Sequence, residues 1–168
     1  MEGLDTPSYT DYASAEDFFE AVRHASREAE RTRLTLLRME AREGVRAQGY
    51  EPRVTVGGER DHMAATDSRI DYEARMSERI EQDYRLLDMA CQVLYGRESG
   101  KGGVDALMGS AVADCISFRY VDARPWSEVA ALMGYSKSQC RRFCRQGMDA
   151  VDFFGWANVL GGKGLAEG

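Results

Sequence analysis

The chain has 168 residues, of which 43% are hydrophobic and 30% charged, and a formal charge of −6. That length fits one domain or two small ones, and the composition supports a hydrophobic core. No apolar run approaches the roughly 18 residues of a membrane span, and the opening MEGLDTPSYT lacks the basic start and apolar run of a secretory signal.

We therefore expect a cytoplasmic chain whose four cysteines, Cys91, Cys115, Cys140 and Cys144, stay reduced. With only three prolines and long stretches rich in Ala, Glu, Arg, Leu and Asp, the chain reads as all-α. Residues 1–13 read as a polar, frayed start. Ser14 then caps a long helix, with Asp17 three residues on. Phe18, Val22, Ala25, Ala29, Leu36 and Met39 form its apolar stripe, and it runs to about Ala47. Pro52 and the Gly57–Gly58 pair make 50–66 a loop, with a short extended piece at Val54–Val56. Thr66 or Asp67 caps a second helix, in which Ile80, Tyr84, Leu87, Cys91 and Leu94 follow a four-three spacing like a coiled-coil seam. The two helices pair either as an antiparallel hairpin or as a dimer interface, and the spacing fits both. Residues 1–95 thus form a helical hairpin or oligomerisation region.

The stretch YGRESGKGG, 95–103, superficially resembles a phosphate-binding loop. That motif needs four residues between its glycines and a Ser or Thr after the lysine. Gly96 and Gly100 enclose three, and Gly102 follows Lys101. Residues 96–103 instead read as a flexible Gly-rich linker. Beyond it, 104–154 form a compact module, and 155–168 a tail. One helix carries Val104, Leu107, Met108, Ala111, Val112, Cys115 and Ile116 and ends near Tyr120. Pro125 opens a second, with Trp126, Val129, Ala130 and Met133 inward, and Gly134 ends it. Ser136 caps the last, which spans about 137–151. Packing against the module is the simplest role for Phe153, Phe154 and Trp156 in the following stretch. A dimer or polymerase contact is the alternative.

A helix-turn-helix needs a small residue where its helices cross, a left-handed glycine at the turn, and apolar residues on the second helix facing the first. Trp126, Val129, Ala130, Met133, Gly134, Cys140 and Phe143 meet those needs. At 100° per residue, Cys140, Phe143, Cys144, Gly147, Met148 and Val151 share one side of the last helix. Ser138, Arg142, Arg145 and Asp149 fall on the other, with Lys137 and Arg141 on the flank. The cysteines then act as small hydrophobes. A metal site would want further ligands nearby, and the two histidines, His24 and His62, are distant in sequence. No metal or cofactor is expected.

Charge supports a partner for the outer side. Between Ile116 and Val151 six basic and three acidic residues give +3, leaving about −9 on the rest of the −6 chain. Lys137, Ser138, Arg141, Arg142 and Arg145 make an exposed row suited to double-stranded DNA: arginine binds guanine bidentately in the major groove, and the others hold phosphates. A solvated basic face is the competing reading. No H-E-x-x-H, P-loop or G-x-S-x-G occurs, and paired acids such as Glu16–Asp17 and Glu28/Glu30 read as solvated surface, so we expect no enzyme.

Residues 115–151, CISFRYVDARPWSEVAALMGYSKSQCRRFCRQGMDAV, resemble region four of the sigma-70 family. The likeness lies in the RY ending the preceding helix, the W-S-E-V-A entry and the G-Y-S-K-S turn. Gly147–Met148 stands where the family has Ala-Leu, and the glycine is expected to loosen that turn. The family implies DNA contacts from Lys137, Ser138, Arg141 and Arg142. The whole layout is similar to phage late-gene activators of the RinA and ArpU type. That resemblance implies a phage or prophage transcription regulator in a bacterial cytoplasm, with RNA polymerase as a further partner and a homodimer through the N-terminal helices. Two other readings remain. One is a small terminase-like packaging subunit, disfavoured because such proteins usually carry the DNA module first. The other is a helix-turn-helix that binds protein without DNA, in keeping with the acidic total charge.

Overall fold

The computed structural model describes residues 6–48, 58–98 and 101–162, apart from the side chains of 46–48 and 58–62. Among these residues the chain is all-α, with seven α-helices and no strand. Helix α1 spans Ala15–Gln48. Ser14 caps it as expected, its Oγ accepting the Asp17 amide at 3.2 Å. A second cap comes from far along the chain, where Asp152 Oδ1 accepts the Ala15 amide at 2.8 Å.

The start of the chain is not frayed over the described residues 6–13. A 3₁₀ turn at Tyr9–Asp11 is closed by reciprocal bonds between Ser8 and Asp11. Tyr9 stacks on Trp156 at 5.0 Å, Tyr12 meets Phe18 edge-on at 5.2 Å, and the Tyr9 hydroxyl donates to the Met89 carbonyl at 3.1 Å. Residues 1–5 lie outside the described residues.

Helix α2 spans Gly58–Tyr95 and packs along α1. Arg79 pairs with Glu28, and Arg69 with Glu43 at 3.0 Å. Partner numbers fall on one helix as they rise on the other, so the two are antiparallel. The loop read at 50–66 is shorter than expected, because helix is already formed at Gly58 and runs through both expected caps, Thr66 and Asp67. Residues 49–57, with the expected extended piece, lie outside the described residues. The four-three seam is also displaced. Leu86, Ala90, Val93 and Leu94 are buried, whereas Cys91 and Tyr84 are exposed. A heptad seam serves one partner helix. The C-terminal part of α2 instead faces a core to which several other elements contribute.

That core is continuous from Phe18, Phe19 and Val22 of α1 through Val93 and Leu94 to Cys115, Ile116, Val129, Cys140 and Val151. Each large side chain enclosed there contributes about 1.5–3 kcal/mol. The described part of 96–103 is accordingly a packed corner rather than a flexible linker. Gly102, Gly103 and Val104 are buried, and a Cβ on Gly103 would lie 2.6 Å from the Leu94 carbonyl oxygen. Residues 99–100 lie outside the described residues.

The single helix expected from Val104 to Tyr120 is broken at Gly109 into α3, Gly103–Met108, and α4, Ser110–Ile116. A π-helical turn, Ser117–Val121, continues α4. Then come α5, Trp126–Met133, α6, Lys137–Phe154, and α7, Trp156–Gly161. Helix α7 returns the chain to the core with Val159 and Leu160. Trp156 thus packs on the beginning of the chain rather than only on the helices before it, while Phe153 is 84% exposed. The outer parts of α1 and α2 project beyond the core as an arm with Leu34, Leu37, Val45, Met63 and Ile70 exposed.

Candidate nucleic-acid interface

Helices α5 and α6 meet through a turn of three residues, Gly134–Tyr135–Ser136. Gly134 adopts φ 72° and ψ 23°, and its amide donates to the Ala130 carbonyl at 3.0 Å. A side chain there would hold a left-handed conformation at a cost of about 1 kcal/mol. Ser136 caps α6, accepting the Gln139 amide at 3.1 Å. Val129 and Cys140 are fully buried between the helices. Trp126, Ala130, Met133 and Phe143 are half-buried against the same core, and Tyr135 closes the turn edge-on to Phe143 at 5.2 Å.

The cysteines face inward. Cys115, Cys140 and Cys144 are buried and lie close enough to influence one another's thiols. The neighbouring Cys144 thiol, then burial, raises the Cys115 thiol far above its ordinary range. Burial first, then Cys115, lifts Cys140 to about 11. Such thiols stay protonated, whereas the thiolate is the nucleophile and metal ligand. No cluster of His, Cys, Asp or Glu suited to a metal occurs among the described residues.

Gly147 does not loosen α6. It is buried where α6 crosses α4, and an added Cβ would meet Ile116 Cδ1 at 2.6 Å and Val112 Cγ1 at 2.8 Å. The missing side chain brings the two helices close. Packing on this side leaves Lys137, Ser138, Arg141, Arg142 and Arg145 exposed together on the first three turns of α6. None of the four cations is ion-paired among the described residues, whereas Arg33, Arg69, Arg79, Arg85 and Arg124 all are.

The row is not one flat face. Arg141 and Arg145 line a groove of about 240 Å³ against the start of α1, together with Glu16 of α1 and with Asp149 and Asp152 further along α6. Arg145 and Asp149 therefore turn further to the side than the helical projection placed them. Arg141 also lies with its Cζ 5.3 Å from the Trp126 ring centroid, and Arg119 approaches the same ring at 4.6 Å. Sequence reasoning missed this role of Trp126 and the participation of Arg119. Arg119 sits on the π-helical turn, whose register no sequence period announces. Comparison of the chain with protein-family models, with curated proteins and with solved structures finds no match in any of the three.

Proposed function

We propose that this protein is a sequence-specific DNA-binding regulator in which α5, the Gly134 turn and α6 act as a helix-turn-helix. The observation that carries the reading is the row of four unpaired cations and Ser138 on the exposed side of a capped helix, whose other side is fixed in the core. Helix α6 enters the major groove. Arg141 and Arg142 read base edges, and Lys137, Ser138 and Arg145 hold phosphates. The likeness of 115–151 to sigma-70 region four supports this assignment, and the layout supports a phage or prophage late-gene regulator acting in the bacterial cytoplasm. The arm, with its exposed apolar residues, serves as the dimerisation surface, and RNA polymerase is the further partner.

The test is selection from random and genomic duplexes, then affinity against salt for the wild type and Arg141→Glu/Arg142→Glu. A DNA reader yields an enriched site and a steep negative salt slope, of about 0.9 per phosphate neutralised, and the double variant loses both. Absence of enrichment and of a slope would leave a helix-turn-helix that binds protein, the reading that the exposed arm and the −6 charge favour.

A further inference from the structure

The basic surface continues beyond α6. From Arg141 it passes across Trp126 to Arg119. Arg119 Nη1 donates to the Arg124 carbonyl at 3.0 Å in the loop before α5. That loop rests on α1, where Ser26 Oγ donates to the Val121 carbonyl at 2.6 Å. Beside it opens a cleft of about 790 Å³, with Asp122 and Ala123 at the loop and Arg27, Arg31, Leu34 and Arg38 along α1. Steps of four, three and four residues place these four on one helix face.

The three arginines are exposed, and none is ion-paired among the described residues. The acids of the cleft are already engaged. Glu28 pairs with Arg79, Glu30 with Arg33 at 2.8 Å, and Asp122 lies 3.8 Å from Arg124. The face therefore offers three guanidinium groups without a counter-ion, joined to α6 by a chain of named contacts.

We infer that the Arg27–Arg31–Arg38 face of α1 is a second polyanion-binding surface, which holds the sugar–phosphate backbone of the duplex whose bases α6 reads. This rests on the DNA-binding reading of α6. From Arg27 to Arg38 the helix rises about 16 Å at 1.5 Å per residue, the span of roughly five phosphates of one strand. Guanidinium groups suit phosphate oxygens. The face carries no amide side chain, and the one ring that lines the cleft with it, the His24 imidazole, lies 3.9 Å from Glu28; we assign the three guanidinium groups to phosphates, so that their contribution is affinity and orientation, not sequence.

The experiment uses the full chain and a random-sequence duplex of about 40 base pairs, with affinity measured between roughly 50 and 200 mM salt. For Arg27→Ala/Arg31→Ala/Arg38→Ala the salt slope is expected to fall by about one per arginine, with weaker binding on every sequence and an unchanged melting temperature. The corresponding triple lysine variant keeps most of the slope. Arg75→Ala/Arg97→Ala/Lys101→Ala, a matched charge loss elsewhere, leaves it unchanged. A triple alanine variant with the wild-type slope, beside an Arg141→Glu/Arg142→Glu variant that has lost binding, overturns the α1 inference alone. So does an equal loss in the matched control. If reversing Arg141 and Arg142 changes nothing while the α1 triple abolishes the slope, the α1 surface stands and the reading of α6 falls. If neither changes binding, both fall.

Discussion

Replacing Gly147 by alanine sets two magnitudes against each other. Alanine in a helix interior is favoured over glycine by about 1 kcal/mol, so a turn that is merely loose would gain that much. The structure opposes it. The new Cβ would lie 2.6 Å from Ile116 Cδ1 and 2.8 Å from Val112 Cγ1, about 1 Å inside the usual carbon–carbon separation. Ile116 is 0% and Val112 5% exposed, so neither can swing into solvent. The valine has no second torsion through which to yield. Overpacking of this kind costs about 1–3 kcal/mol, and two simultaneous overlaps put it towards the upper end. The net expectation is a loss of about 1–2 kcal/mol, or about 2–8 °C in Tm for a chain of this size. Thermal and urea unfolding measure it. Adding Val112→Ala should recover part of the loss, giving a coupling of at least about 0.5 kcal/mol in a double-mutant cycle. An alanine variant as stable as the wild type or more so, with no coupling to Val112, would refute the close crossing of α4 and α6.

Three further outcomes test other contacts. Asp152→Ala removes the distant cap on α1 and should cost about 1 kcal/mol by urea unfolding, with Asp152→Asn retaining most of the stability; equal losses in both would mean the cap is not the cause. Burial, with Glu28 adding to it, raises the Asp83 carboxyl to about 6 against the partial opposition of Arg79 and His24. Its folded pKa thus exceeds the unfolded value of about 3.9, so its contribution to stability is greatest below pH 4 and falls as pH rises through 6. Asp83→Asn should therefore stabilise at pH 7 relative to pH 4, and an equal effect at both would contradict the shift. Under native conditions a thiol reagent should modify the exposed Cys91 alone, slowly because partial desolvation of its thiol, with Asp88 and Asp122 adding to it, raises its pKa, and all four cysteines in denaturant. Rapid native labelling of Cys140 or Cys144, read by mass, would place them outside the core.

The all-α class, the Ser14 cap and the course of α1 were legible because they depend on local spacing. The turn at Gly134 and the inward cysteines were legible for the same reason, since a left-handed glycine and one helical face are properties of a few adjacent residues. The misread segments depended on distant partners. Gly102 and Gly103 look like a linker until Leu94 and Leu160 are placed against them. Tyr9 and Tyr12 look frayed until Trp156 arrives from the other end of the chain. The seam at Ile80 and Tyr84 followed a valid period, but a period fixes which residues share a face and not which of two faces is buried. The spacing of Arg27, Arg31 and Arg38 was present in the sequence. What singled it out was the engagement of neighbouring acids by other arginines, which only the structure supplies.

Helix α6 does more than present side chains. Its Asp152 caps α1, its Gly147 lets α4 approach, and Cys140, Cys144 and Val151 join the core that the hairpin also enters. With the described part of 96–103 packed rather than extended, the helical hairpin and α6 share one continuous core. On the proposed function, two copies joined through their arms would then hold their α6 helices at a fixed separation, set by helix lengths rather than by a tether. A paired DNA site for such a dimer should tolerate little variation in half-site spacing, because a rigid pair must match the helical turn of the duplex. Inserting five base pairs between half-sites turns one of them to the opposite side of the DNA, at about 10–10.5 base pairs per turn. Cooperative binding should then be lost and restored only by a full-turn insertion. Equal affinity at every spacing would mean that the arms do not couple the two reading helices.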